Sequence, residues 1–166
     1  MKLNRAKLVV TLMFGFFLTI SSLALASTEQ YAAMKGVDSA KAFFDVRIGI
    51  PKSAAVHMNL IYDTYKKLTA MKKKPVFVVL FIGSAVKLIS SNRSEFNSED
   101  QKYLKEIAQT ISKMLKDGIR FEVCLTAAKY FGVDPASIQS GIIHVGNGWI
   151  SEIGYQTKGY QLVPVY

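Results

Sequence analysis

Val76-Phe77-Val78-Val79-Leu80-Phe81-Ile82, opened by Pro75 and closed by Gly83, is an unbroken apolar run rich in β-branched and aromatic residues. Such a run offers no polar face to water, so it reads as a strand buried on both sides, as inner strands of parallel sheets are. Parallel strands need crossover connections, usually helices, and the flanking sequence supplies them. Upstream, Ala42 to Ile48 reads as a first strand ended by Gly49, and Pro51 then suits the first turn of a helix. Val56, Leu60, Ile61, Thr64, Tyr65 and Leu68 recur at three and four residues, predicting that this helix runs to about Met71 and buries that stripe.

Downstream, Gly83 to Ile89 reads as a short turn or helical piece, followed by a polar loop. Ser98 with Gln101 three residues on has the form of a capping box for a second helix. The stripe of that helix is Leu104, Ile107, Ala108, Ile111, Met114 and Leu115, and it stops at Asp117-Gly118. Ile119 to Cys124 is a third strand, Thr126 to Phe131 a short helix and Ile142 to Val145 a fourth strand. Trp149 to Thr157 is a last helix and Tyr160 to Val165 a closing strand. Strands alternating with helices predict an α/β fold: a three-layer α/β/α sandwich around a five-stranded, mainly parallel sheet.

The first 26 residues have a different character. Lys2, Arg5 and Lys7 precede an apolar stretch from Leu8 to Ile20, and Ala24-Leu25-Ala26 has the small-residue form that a signal peptidase cuts. The apolar stretch is short of the roughly 20 residues that cross a bilayer, so a cleaved signal peptide over 1–26 is expected, with no stable membrane insertion afterwards. Export to the periplasm or beyond follows. Residues 27–40 read as a loose lead-in and 41–166 as one α/β domain. Without the leader, 18 basic face 12 acidic residues, a net charge of +6. That balance permits binding of small anions and falls short of a nucleic-acid surface. Lys66, Lys67, Lys72, Lys73 and Lys74 crowd the end of the first helix, where they complement its dipole; a membrane-binding patch is the rival reading.

The chain has one cysteine, so no internal disulfide can form and stability must come from the core. In an open parallel sheet ligands bind at the carboxyl ends of the strands. Cys124 falls at such an end, just before a helix whose positive end favours a thiolate. A helix end contributes roughly 0.3–1 kcal/mol, less than the ~1.4 kcal/mol of a tenfold change in ionisation, so a nearby cation is called for. Lys129, Arg47, His57 and His144 are the available ones. His57 follows the first strand on a helical face it shares with Ile61, Tyr65 and Leu68, which also suits a structural role. His144 lies in the fourth strand and could approach Cys124 if strands three and four are neighbours. Two histidines, one cysteine and scattered carboxylates lack any compact ligand spacing, so neither a metal nor a cofactor is expected. Phosphate-loop, dinucleotide and serine-hydrolase motifs are missing; Gly146-Asn147-Gly148-Trp149-Ile150-Ser151 reads as a tight turn opening a helix.

Three segments resemble the DsrE/DsrF-like family. Phe81-Ile82-Gly83-Ser84-Ala85-Val86-Lys87-Leu88-Ile89 is similar to its H-G-x-A-v-k-l-l segment, and Phe121-Glu122-Val123-Cys124-Leu125-Thr126-Ala127 to its f-x-v-C-x-n-a segment. Gly148 to Ile153 and Lys158-Gly159-Tyr160 are similar to its closing stretch. The resemblance implies a five-stranded, mainly parallel sheet between helices, assembly as homo-trimers or hexamers, and a sulfur relay in which Cys124 matches a persulfide-carrying cysteine and meets a thiol-bearing protein partner. A non-catalytic oligomer that binds a small anion or a protein in the cell envelope is the alternative. Ile82 stands where the family commonly has histidine, and Leu125-Thr126 where it has a more polar pair, which weakens any proton-transfer role.

Overall fold

The apolar run falls mostly in Lys74–Phe81 (β2), which lies inside the sheet with Ser39–Val46 (β1) on one side and Arg120–Cys124 (β3) on the other. The computed structural model describes residues 31–166. The chain divides into a unit ending at Val37, whose described part holds a 3-10 turn at Ala32–Met34, and a unit running from Asp38 to Tyr166. The expected leader, residues 1–26, lies outside the described residues.

In the second unit, Ile143–Val145 (β4) and Gln161–Val165 (β5) form the edges, giving the order β4-β3-β2-β1-β5 with every pair parallel. Pro164 is tolerated in β5 because an edge strand leaves one row of backbone groups unpaired. The helices are Pro51–Ala70 (α1), Ser98–Lys116 (α2), Leu125–Tyr130 (α3) and Gly148–Thr157 (α4), with a 3-10 segment at Gly83–Ile89. β1 starts at Ser39, inside the segment expected to be a lead-in over 27–40, because Ser39 and Ala40 already pair with Lys74 and Pro75.

Strand parity sorts the side chains into two faces. On one, Phe44 meets Phe77 at 4.9 Å, Tyr65 of α1 meets Phe77 at 5.5 Å, and Phe81 stacks on Phe121 at 6.2 Å. α2 lies beside α1, joined by Asn59 Nδ2 donating to Glu106 and Thr110 Oγ1 donating to Asn59. The other face carries Phe43, Asp45, Leu80, Glu122 and Cys124 under α4, whose Tyr155 ring stacks on Phe43 at 5.3 Å. The expected α/β/α layering is therefore present.

Two local expectations are corrected. α1 buries Pro51, Ala54, Ala55, Met58 and Ile61, whereas Val56 and Leu60 face outward. The small residues Ala54 and Ala55 let the helix lie close to the sheet, and closeness rather than side-chain size chose the face. α2 is capped by Asn97, not Ser98: Asn97 Oδ1 accepts the Asp100 N–H at 2.8 Å.

Candidate functional site

β3 ends at Cys124, and its side chain caps α3 by accepting the Ala127 N–H at 3.4 Å. A second backbone donor reaches the same sulfur: the N–H of Gly148, first residue of α4, at 3.2 Å. Two contacts bring α4 there. The N–H and hydroxyl of Thr126 both donate to the Gly146 carbonyl, at 3.1 and 2.7 Å, tying the start of α3 to the loop before α4. Asn147 Oδ1 then accepts the Trp149 N–H at 3.0 Å and caps α4. Gly148 fits closely here, since a Cβ would stand 2.9 Å from Leu80 Cδ2 and 3.1 Å from Cys124 Cβ, so any larger residue has to displace its neighbours.

Cys124 lines a pocket of about 440 Å³ together with Arg47, Ile82, Phe131, Asn147 and Trp149. Cys124 is only 2 % exposed and so forms its recessed wall, while Tyr130 and Trp149 are exposed at its rim. Gly83, also in the lining, holds φ +62, a conformation that lets the chain turn sharply out of β2 around the pocket. Two backbone N–H groups aimed at one sulfur are donors suited to a sulfur anion, and a guanidinium stands elsewhere in the same pocket.

Arg47 Nε donates to Asp45 Oδ2 at 2.7 Å. That hydrogen bond raises the Arg47 pKa further above its already high value, outweighing the opposing effect of burial, so the group is permanently cationic. Asp45 is 2 % exposed, and its other oxygen, Oδ1, has no hydrogen-bond partner among the described residues.

Below the pocket α4 is held down by Glu122, which is almost completely buried in β3. Its carboxylate accepts from Arg120 Nε at 2.8 Å, from the Tyr155 hydroxyl at 2.8 Å and from the Ser151 hydroxyl. Burial first, then the hydrogen bond to Glu122, pushes the Tyr155 pKa from 10 up to about 12. The folded protein thus keeps a proton that the unfolded chain releases, so this contribution to stability is complete below pH 10 and is lost as pH rises towards 12. The expected result is that the urea midpoint falls less between pH 10 and 12 in Tyr155→Phe than in the wild type.

Of the residues singled out from sequence, the fold brings Cys124 and Arg47 to one pocket. His144 is not brought there. β3 and β4 are neighbours, but His144 pairs with Val123, so it points to the opposite face from Cys124 and is exposed. His57 sits on α1, which packs on that opposite face, and its Nδ1 lies 2.8 Å from the Ser53 carbonyl. Lys129 is exposed in the last turn of α3 and is absent from the pocket lining.

The model of the DsrE/DsrF-like family matches residues 41–165. The chain belongs to the DsrE/DsrF-like family. Among solved structures, this DsrE/DsrF-like chain is similar to a protein of unknown function from Methanobacterium thermoautotrophicum. The TM-score is 0.58 at 14% identity, covering 75% of this chain and 98% of that one, a likeness of fold. No curated protein matches.

Sequence reasoning missed Gly148 as a donor to the sulfur, and it missed Asp45, Glu122, Ser151 and Tyr155 altogether. One signal was available for two of them: Asp45 in Phe43-Phe44-Asp45-Val46 and Glu122 in Phe121-Glu122-Val123 are single carboxylates inside apolar strands, a pattern that calls for a buried partner. In this DsrE/DsrF-like protein Ile82 makes an apolar pocket wall where the family commonly has histidine, so no acid or base acts from that position.

Proposed function

We propose that this protein is a sulfur carrier. Cys124, as thiolate, attacks the outer sulfur of a persulfide R–S–SH; a new S–S bond forms, the donor's S–S bond breaks, and R–S⁻ leaves. A partner thiolate then takes the outer sulfur from Cys124–S–SH by the same displacement and restores the Cys124 thiolate. The reading rests on one observation: the chain's only thiol lies in the wall of a pocket and receives two backbone N–H groups on its sulfur. Mass spectrometry after exposure to polysulfide is expected to find one added sulfur on Cys124 and none in Cys124→Ser. An unmodified Cys124 under conditions that load another carrier overturns the proposal.

The carrier works outside the cytoplasm, as the leader-like residues 1–26 suggest, so the protein recovered from the cell envelope is expected to begin at Ser27. It works as a homo-oligomer. Support comes from the α4 side of the sheet, where Trp149, Ile150 and Ile153 on the helix, Ile143 on β4 and Leu162 on β5 are all exposed. Apolar side chains gathered on one face mark an interaction surface. The same surface favours a second reading, a binding module whose oligomer engages a protein partner without sulfur transfer. Full biological activity of Cys124→Ser selects that reading over the carrier.

A further inference from the structure

Resting on the carrier reading, we infer that Arg47 makes this site selective for small organic sulfur donors that carry one anionic group a few carbons from the reactive sulfur, the guanidinium binding that group while Cys124 takes the sulfur.

Four observations carry the inference. Arg47 and Cys124 line one pocket although one directly follows β1 and the other ends β3, with β2 between those strands. Two strand spacings separate their backbones by roughly 10 Å, and the long arginine side chain shortens that gap. A ligand touching both groups therefore needs a short linker between its sulfur and its charge. The lining is otherwise mostly apolar, with Ile82, Phe131 and Trp149 in it, and suits carbon rather than a hydrated inorganic ion. Next, Asp45 holds only Nε of the guanidinium, and the terminal nitrogens have no acceptor among the described residues. Those nitrogens form the fork that binds a carboxylate or sulfonate in two parallel hydrogen bonds. Finally, the surroundings limit the charge of the ligand. Asp45 neutralises Arg47, and Glu152 and Tyr166 stand close enough to raise its pKa further. The site therefore selects by directed hydrogen bonds rather than by a strong positive field, which favours one negative charge over two. Asp45 is a positioning residue here: its buried carboxylate fixes the plane of the guanidinium.

Three methanethiosulfonates that differ in their tail, anionic sulfonatoethyl, neutral methyl and cationic trimethylammonioethyl, test this directly. Each reacts by the same balanced step: the Cys124 thiolate attacks the thio sulfur, a mixed disulfide forms and methanesulfinate leaves. Rates on the full protein, divided by those on a free small thiol, report the pocket alone. The wild type is expected to prefer the anionic reagent to the cationic one. Arg47→Met is expected to cut that preference about tenfold, the low end for a charge-assisted hydrogen bond at a partly exposed group, and to leave the neutral reagent within about twofold. Arg47→Gln serves equally if the methionine variant does not fold. An unchanged anionic-to-cationic ratio in either folded variant overturns the inference and leaves the carrier reading standing. A Cys124 that reacts with the neutral reagent yet never holds a persulfide sinks the carrier reading while the ratio still decides the role of Arg47. A Cys124 that reacts with none of the three sinks both.

Discussion

Replacing Glu122 by alanine is expected to destabilise the protein by about 3 kcal/mol and to lower its melting temperature by roughly 10 °C. The carboxylate is almost completely buried and accepts three hydrogen bonds, two of them from Ser151 and Tyr155 on α4. Removing it strands two hydroxyl donors and opens a cavity below the helix, costs of about 1 kcal/mol or more each. Arg120 adds little, because its side chain is half exposed and water takes over its hydrogen bonds. The order of stability is accordingly wild type, Glu122→Gln, Glu122→Leu, Glu122→Ala. Glutamine keeps the shape and an acceptor, and leucine fills the space but pairs with neither hydroxyl. Urea unfolding checks the series, and an alanine variant within 1 kcal/mol of wild type would show that α4 is anchored by something else.

Gly148→Val is expected to slow sulfur loading of Cys124 by at least tenfold and to cost about 2 kcal/mol of stability. The first added carbon already stands 2.9 Å from Leu80 Cδ2, 3.0 Å from Ile82 Cδ1 and 3.1 Å from Cys124 Cβ, and valine brings two more methyl groups into that buried corner. The start of α4 has to lift, which carries the Gly148 N–H away from Sγ. A hydrogen bond to a charged group is worth about 1.5–3 kcal/mol, so its loss from an attacking thiolate is a tenfold effect or more. Gly148→Ala presses mainly on the ends of two side chains and should cost less. Loading rates followed by mass spectrometry, beside unfolding midpoints, separate the two effects. A valine variant with wild-type loading would remove Gly148 from the site.

Much of the architecture was legible in the residues themselves. The run Val76 to Ile82 read as an inner strand and supplies most of β2, the stripe Leu104, Ile107, Ile111 and Met114 was the buried side of α2, and Cys124 closed a strand ahead of a helix. The face of α1 was not legible. Val56 and Leu60 matched the helical period as well as Met58 and Ile61, and the choice fell to Ala54 and Ala55, whose smallness matters only once a sheet lies against them.

Local pattern therefore determined the order of strands and helices, because periodicity and chain-breaking residues act over a few neighbours. It also put the single thiol at the end of a strand. Only the tertiary structure decided what surrounds that thiol. Pairing His144 with Val123 rather than with Cys124 sends the imidazole to the far face, and a one-residue difference in register is invisible until two strands meet. Arg47 comes to the pocket of Cys124 from just beyond β1, the Gly148 N–H reaches the sulfur from the start of α4, and Tyr155 reaches Glu122 across 33 residues of chain. Those contacts exist because parallel pairing gathers the ends of separate strands at one edge of the sheet, a juxtaposition that no stretch of sequence encodes by itself.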